Sequence, residues 1–342
     1  MGNAARILGP VEGKVLSGEG LGRETALELG GLSREEVPLV TRLANRVARK
    51  FEGNRFDLCS IVNARSGRCP EDCAFCAQSV HHHAEAPIYP MMGSDKILEL
   101  AKRMESLGAQ RFSIVTSGKG VPRNAEFASV LEAVKLIRAD TGLKVCASTG
   151  VLNAEEGRSL KEAGVIRYHH NLEACRGFYP EICSSHSYEE RASTVRTARE
   201  VGLEVCSGGI IGLGEGWEHR VDLALELAEL GVDSVPLNIL DPIPGTPLEA
   251  IEPLPLHEIL LTIAMFRLVN PRTSLRLAGG REKHVGGERA KVFTAGLSGV
   301  MIGDLLTTRG ADPKEDVRTL NDLGFVLTGQ TSSADCFLAG SP

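Results

Sequence analysis

The chain has 342 residues, enough for one large α/β barrel or two ordinary domains. Its 42% hydrophobic and 24% charged residues describe a soluble globular chain, and a net charge of −6 with no concentrated basic face excludes a nucleic-acid footprint. The longest apolar runs are of strand length, well short of the roughly 20 residues of a membrane helix, and the first twenty residues lack the apolar core of a signal peptide, so a cytoplasmic location is expected.

Residues 1–33 mix glycines with charges and carry only a weak helical signal. From Arg34 to Phe51, apolar residues at Val37, Leu39, Val40, Leu43, Val47 and Ala48 fall close to helical spacing and predict an amphipathic helix. A βα rhythm then begins. Strands are expected near 57–63, 111–117, 143–149, 165–171, 203–212, 232–240, 273–278 and 297–302. The helices between them are expected at Ser94–Leu107, Ala125–Thr141, Asn153–Ala163, Tyr188–Val201, Glu218–Leu230 and His257–Val269. Ser94 and Asn153 are suited to N-caps, and Gly108, Gly142, Gly164, Gly202 and Gly231 fall where helices should stop. Eight strands alternating with helices imply parallel pairing, and the span 56–304 fits a closed (β/α)8 TIM-type barrel. An open doubly wound sheet is the alternative, but no Gly-x-Gly-x-x-Gly turn follows the first strand. The expected organisation is therefore an N-terminal helical extension (1–55), the barrel (56–304) and a C-terminal segment (305–342) ending in a polar tail.

Nine cysteines stand at 59, 69, 73, 76, 146, 175, 183, 206 and 336, an odd count that suits a reducing compartment. Gly67-Arg-Cys-Pro-Glu-Asp-Cys-Ala-Phe-Cys-Ala-Gln-Ser79 spaces Cys69, Cys73 and Cys76 as Cys-x3-Cys-x2-Cys directly after the first strand. Three thiolates on one loop grip three irons of a cubane cluster and leave the fourth open, the mark of a catalytic rather than a closed structural metal site. A zinc knuckle completed by His81, His82 or His83 is the bland reading, but structural zinc ligands come as two separated pairs. The three histidines are expected on an exposed loop. This spacing, with Phe75 before the third cysteine, resembles the signature of the radical S-adenosylmethionine (SAM) enzymes. The resemblance implies a [4Fe–4S] cluster whose open iron is chelated by SAM, and a 5′-deoxyadenosyl radical formed by one-electron cleavage.

Cys146, Asn171, Cys206, Asn238 and Arg276 each fall within a different predicted strand. Residues facing a barrel interior should be branched and apolar, since an unpaired buried polar group costs roughly 1–3 kcal/mol. Thiols, amides and a guanidinium at one level suggest a bound cofactor and substrate, although a lone buried cysteine is commonly only a small hydrophobe. Several segments are similar, in this order, to the biotin synthases: Cys69-Pro-Glu-Asp-Cys, Tyr168-His-His-Asn-Leu-Glu173, Val205-Cys-Ser-Gly-Gly-Ile-Ile-Gly-Leu-Gly-Glu215, Pro236-Leu-Asn-Ile-Leu, Pro244-Gly-Thr-Pro247 and Leu275-Arg-Leu-Ala-Gly-Gly-Arg-Glu282.

That resemblance implies conversion of dethiobiotin to biotin, with sulfur drawn from an auxiliary iron–sulfur cluster. It implies Cys146, Cys206 and Arg276 as auxiliary-cluster ligands and Asn171 and Glu173 as SAM contacts. Asn171 and Asn238 are implied as substrate contacts, and the glycines at 208 and 209 and the 212–215 turn as sites of close backbone approach to the cofactor. It also suggests a homodimer and a flavodoxin or ferredoxin reductant. Two positions depart from the usual pattern. Ser113 stands where a third auxiliary cysteine is usual, and His169 replaces a substrate-binding asparagine. A neutral serine is a poor iron ligand, so Cys183, with Cys175 as the weaker candidate, is expected to join Cys146 and Cys206. The arrangement resembles that of a second, anaerobe-associated type of biotin synthase, which implies a cluster of [4Fe–4S] type with an extra sulfide rather than [2Fe–2S]. Cys59 is expected to be a core residue and Cys336 a tail thiol. Radical enzymes of the hydrogenase-maturation or methylornithine-forming type are the rival inside the superfamily, and a simple electron carrier is the rival outside it.

Overall fold

Strand β1 (Arg55–Arg65) is the seam of the molecule, hydrogen-bonded to β2 (Arg111–Thr116) on one side and to β9 (Gly299–Met301) on the other. The structure, a computed structural model, describes residues 2–121 and 124–327. Between these neighbours run β3 (Lys144–Ser148), β4 (Arg167–His169), β5 (Glu204–Cys206), β6 (Gly209–Ile211), β7 (Ser234–Ile239) and β8 (Ser274–Leu277). Every ladder among them is parallel, and the β1–β9 pairing closes the circle. Counting β5 and β6 as one interrupted stave gives eight staves, the expected closed (β/α)8 barrel. A short β10 (Val326–Leu327) adds to the start of β1. The polar tail from Gly329 and Cys336 lie outside the described residues.

The outer layer follows the sequence pattern closely. Helices α1 (Asn3–Leu8), α2 (Glu12–Ser17) and α3 (Arg23–Leu29) form in the weakly patterned N-terminal stretch, and α4 (Val37–Glu52) is the amphipathic helix. The crossover helices are α5 (Ser94–Ser106), α6 (Ala125–Asp140), α7 (Ala154–Ala163), α8 (Tyr188–Glu200), α9 (Trp217–Leu230) and α10 (Leu256–Val269). Three shorter helices follow: α11 (Arg281–His284), α12 (Arg289–Phe293) and α13 (Pro313–Asp322). Asn153 caps α7 in a full capping box with Glu156, and left-handed Gly164 and Gly231 end α7 and α9. Ser94 is the first residue inside α5, whose cap is Gly93.

Helix α10 is apolar around nearly its whole circumference because α4, α3 and α9 cover it from outside while its other face lies on the barrel. Val40, Leu43, Ala44 and Val47 of α4 form the buried stripe of that layer. Arg267, within α10, is fully buried and has no carboxylate partner among the described residues. Its guanidinium instead donates to the carbonyls of Gly296 (2.7 Å), Pro271 (3.1 Å) and Thr273 (2.7 Å), tying the helix to the loops that precede β8 and β9.

The interruption of the fifth stave has a definite cause. Glu173, in the loop after β4, lies in the left-handed region at φ 70° and inserts its backbone beside the break. Its N–H donates to the Gly208 carbonyl (3.1 Å) and its carbonyl accepts from Ile210 (2.9 Å). A Cβ on Gly208 would sit 1.9 Å from the Pro236 carbonyl oxygen, and one on Gly209 would sit 2.4 Å from that of Glu173. These two glycines thus serve a backbone crossing, and neither lines the central cavity. Gly208→Ala should therefore destabilise the protein by at least about 1–3 kcal/mol. Gly13→Ala, at an open helical position, should be neutral or slightly stabilising. Paired thermal melts check both.

Candidate active site

One cavity of about 380 Å³ runs from the C-terminal ends of the strands down into the barrel. This is the face on which barrel enzymes carry their chemistry. The cysteine loop roofs it. Cys69, Cys73 and Cys76 all line the cavity, with Phe75 beside them. The loop is held from inside by Gln78, whose side-chain oxygen accepts from Asn63 Nδ2 (3.2 Å), Ser66 Oγ (3.1 Å) and the Gly67 amide (3.0 Å). Backbone bonds between Cys69 and Gln78 (2.9 Å) and between Val80 and Cys69 (2.9 Å) close it. His81 and His82 donate to the carbonyls of Pro70 (2.9 Å) and Cys73 (3.0 Å), so they brace the loop through its backbone.

Asn171 and Glu173 stand opposite this roof. The Asn171 side chain is fixed at both ends, accepting from the Gly208 amide (3.1 Å) and donating to Glu173 Oε2 (3.2 Å). Arg191 of α8 secures the pair, donating to the Asn171 carbonyl (2.9 Å) and to Tyr179 Oη (2.8 Å) with Glu173 Oε1 at 3.8 Å. Burial opposes a charge on Arg191, but Glu173, Tyr179 and Cys73 more than restore it. Asn238 is oriented by the Gly279 amide, which donates to its Oδ1 (2.9 Å).

The barrel floor is a layer of charge. The Asp57 carboxylate accepts from Arg111 Nε (2.7 Å) and Arg276 Nη2 (3.1 Å), and Arg276 Nε donates to Ser234 Oγ (3.0 Å). Arg167 pairs with Glu204 (2.8 Å). Burial works against ionisation of both Asp57 and Arg276, yet their pairing and neighbours lower the Asp57 pKa and raise that of Arg276. Cys146 and Cys206 open onto this layer with His169. Burial and neighbouring Cys59 push the Cys146 thiol up to about 12. Burial opposes ionisation of Cys206 too, but the hydrogen bond from His169, with Arg276 and Arg167 nearby, brings it down to about 6.

The structure does not bring Cys183 to the floor. Its Sγ lies 3.8 Å from Cys73 Sγ, 3.3 Å from His186 Nδ1 and 3.1 Å from Asp72, and it does not line the cavity. Cys175, likewise, is packed in the core outside the cavity. Cys73, Cys183 and His186 lie within 4.8 Å of one another, the span of a single ion. The Cys73 thiol donates to Cys183 and His186 adds to this, so Cys183 is the more acidic of the two and Cys73 the less. The residues that sequence reasoning missed are Asp57, Arg111, Arg167, Glu204 and Arg191. Charged residues at alternate positions of strands expected to be apolar, Asp57 on β1 and Arg111 on β2, were the available signal.

The walls are built for an occupant. Arg111 Nη1, Ser113 Oγ, Thr116 Oγ1 and Arg167 Nη1 all belong to cavity-lining residues, and each atom is buried without a hydrogen-bond partner. Orphans of this kind normally cost roughly 1–3 kcal/mol each. Free thiols on the roof and the floor make the donor set one for iron–sulfur clusters.

A parallel barrel with a Cys-x3-Cys-x2-Cys loop over its mouth defines the radical SAM class, and the profile of the Radical SAM superfamily matches residues 64–239. The Biotin and Thiamin Synthesis associated domain matches residues 236–326. The chain is 51% identical to the biotin synthase of Pelotomaculum thermopropionicum over 310 residues, 91% of this chain and 96% of that one. It is 47% identical to that of Desulforudis audaxviator over 91% of this chain and 95% of that one. The chain therefore belongs to the biotin synthase family.

Among solved structures, methylornithine synthase superimposes with a TM-score of 0.81 at 20% identity, covering 96% of this chain and all of that one. The [FeFe]-hydrogenase maturase of Carboxydothermus hydrogenoformans gives 0.79 at 18%, covering 96% and 81%. At such identities the likeness is one of fold.

Removing the carboxylate that joins the floor arginines should cost about 3–5 kcal/mol, because two buried cations lose their shared partner. Asp57→Asn should show this in chemical denaturation. The Asp57 pKa is depressed on folding, so its contribution is complete above the unfolded value of about 4. The gap between wild type and Asp57→Asn should then narrow as the pH falls below that value.

Proposed function

We propose that the chain inserts sulfur into dethiobiotin to form biotin, with SAM as the radical source and an auxiliary iron–sulfur cluster as the sulfur donor. The observation that carries this reading is one continuous cavity with the triplet Cys69, Cys73 and Cys76 at its roof and Cys146, Cys206 and Arg276 at its floor. The triplet would hold a [4Fe–4S] cluster and SAM, and the floor residues the auxiliary cluster. When bound, these groups supply a carbon-centred radical from above and sulfur from below.

The chain's own residues supply position and exclusion. Asn171 and Glu173, clamped by Arg191 and the Gly208 amide, are preset to meet the ribose of SAM. The Asn238 oxygen accepts from Gly279 and its nitrogen donates to the Gly209 carbonyl (3.4 Å), which leaves the second N–H of that nitrogen as a donor for the ureido oxygen of the substrate. His169 lies on the same wall beside Cys206, where an amide is usual in relatives of this type. Val115, Ile210, Ile239, Met301 and Leu305 give part of the wall an apolar face, which keeps water and stray hydrogen donors from a radical.

Ser113 offers no thiolate on β2, a departure from the usual [2Fe–2S] pattern that resembles a second type of biotin synthase, whose auxiliary cluster is of [4Fe–4S] type with an extra sulfide. Cys69 and Cys76 remain partly exposed, so a flavodoxin or ferredoxin could deliver electrons at the loop. No helix among the described residues is long and apolar enough to cross a membrane. Free thiols among the described residues fit the cytoplasm, and the family resemblance favours a homodimer.

Anaerobic reconstitution with dethiobiotin, SAM and a low-potential reductant should yield biotin and 5′-deoxyadenosine, and Cys73→Ala should abolish both. 5′-Deoxyadenosine without biotin would keep the radical chemistry and remove the substrate assignment.

A further inference from the structure

We infer that Cys59 is the third thiol donor of the floor site, completing a set with Cys146 and Cys206 around Arg276. The inference rests on the reading that a second cluster occupies the barrel floor. Sequence reasoning placed Cys59 in the core as an inert thiol. The pleat of β1 places it elsewhere. Inward positions on β1 recur every second residue, and Asp57, Cys59 and Ile61 are such a series. Asp57 reaches the floor arginines, while Cys59 and Ile61 line the cavity. In register, Cys59 is level with Arg111 of β2 and Met301 of β9, two more cavity residues.

The three thiols therefore come from three staves, β1, β3 and β5, and face a fourth, β8, which carries Arg276. Each lies within electrostatic reach of the others, and all three lie within reach of that guanidinium. Among the described residues, no side chain hydrogen-bonds to Cys59 or Cys146. Their thiols donate only weakly, to the Ser60 carbonyl at 3.8 Å and the Lys144 carbonyl at 4.0 Å, both on the thiol's own strand. Cys183, in contrast, is surrounded by Cys73, Asp72, Ser185 and His186.

Spacing gives a second argument. Among the described residues, the sets Cys69–Cys73–Cys76 and Cys59–Cys146–Cys206 both spread wider than the 4.8 Å within which donors surround one ion. Neither set is therefore drawn together around a single ion. Arg276, Arg111 and Arg167 supply the counter-charge that three buried thiolates on an iron–sulfur core require. Ser113 on β2 leaves one donor short, and Cys59 on the adjacent stave makes up the count.

The test is the iron and sulfide content of anaerobically reconstituted protein, with Mössbauer spectra to separate the two clusters, in the absence of dethiobiotin. Wild type should carry both. Cys59→Ser should fall to about four irons per chain, keeping the triplet cluster and its cleavage of SAM, which report an intact barrel. Cys183→Ser should keep the auxiliary signal. Adding Ser113→Cys to Cys59→Ser should restore that signal, a rescue that a folding defect would not show. Full iron and sulfide in Cys59→Ser would overturn the assignment of Cys59. Wild type binding only the triplet cluster would instead overturn the second-cluster reading on which it rests.

Discussion

The Asp57 carboxylate organises the interior of this barrel. It sits on β1, the strand whose pairing with β9 closes the circle, and it binds Arg111 and Arg276 from strands on both sides of that seam. Two guanidinium groups brought so close together inside a protein repel each other, and a shared anion offsets that repulsion. Once fixed, they set the electrostatics of the floor, where Cys146, Cys206 and Cys59 all feel Arg276. A floor so charged favours anionic groups, as the proposed cluster and its thiolates would be.

The roof depends on hydrogen bonds rather than ion pairs. Gln78 binds Asn63, Ser66 and Gly67 together, so a loop of three cysteines keeps one shape although no regular element contains it. Opposite it, the left-handed backbone of Glu173 and the two glycines of the broken stave are parts of one device. The strand must break for Glu173 to enter, and only residues without a Cβ allow the chains to pass that closely. The distortion carries Asn171 and Glu173 to the cavity mouth, consistent with strain concentrating where function needs it.

Most of the architecture was legible in the order of residues. The alternation of apolar strands with capped helices foretold eight staves, and the Cys-x3-Cys-x2-Cys spacing marked the roof. Local physics decides both, since hydrophobic period, capping and thiol spacing act over a few residues. The break at Gly208 was not legible, because its cause is Glu173, a residue from the neighbouring stave.

The cysteines divide the same way. Type and spacing alone determined that Cys69, Cys73 and Cys76 form one site, because a loop of eight residues cannot separate them. Which thiol joins Cys146 and Cys206 was beyond the sequence. Cys183, on a loop free to turn inward, looked the better placed, and Cys59 looked like core. Barrel closure gave the two thiols different surroundings. It pointed the inward pleat of β1 at Arg276 and held Cys183 against Cys73 and His186. Side chains from strands distant in sequence meet only when the sheet closes, and the angle at which it closes is a property of all eight staves together.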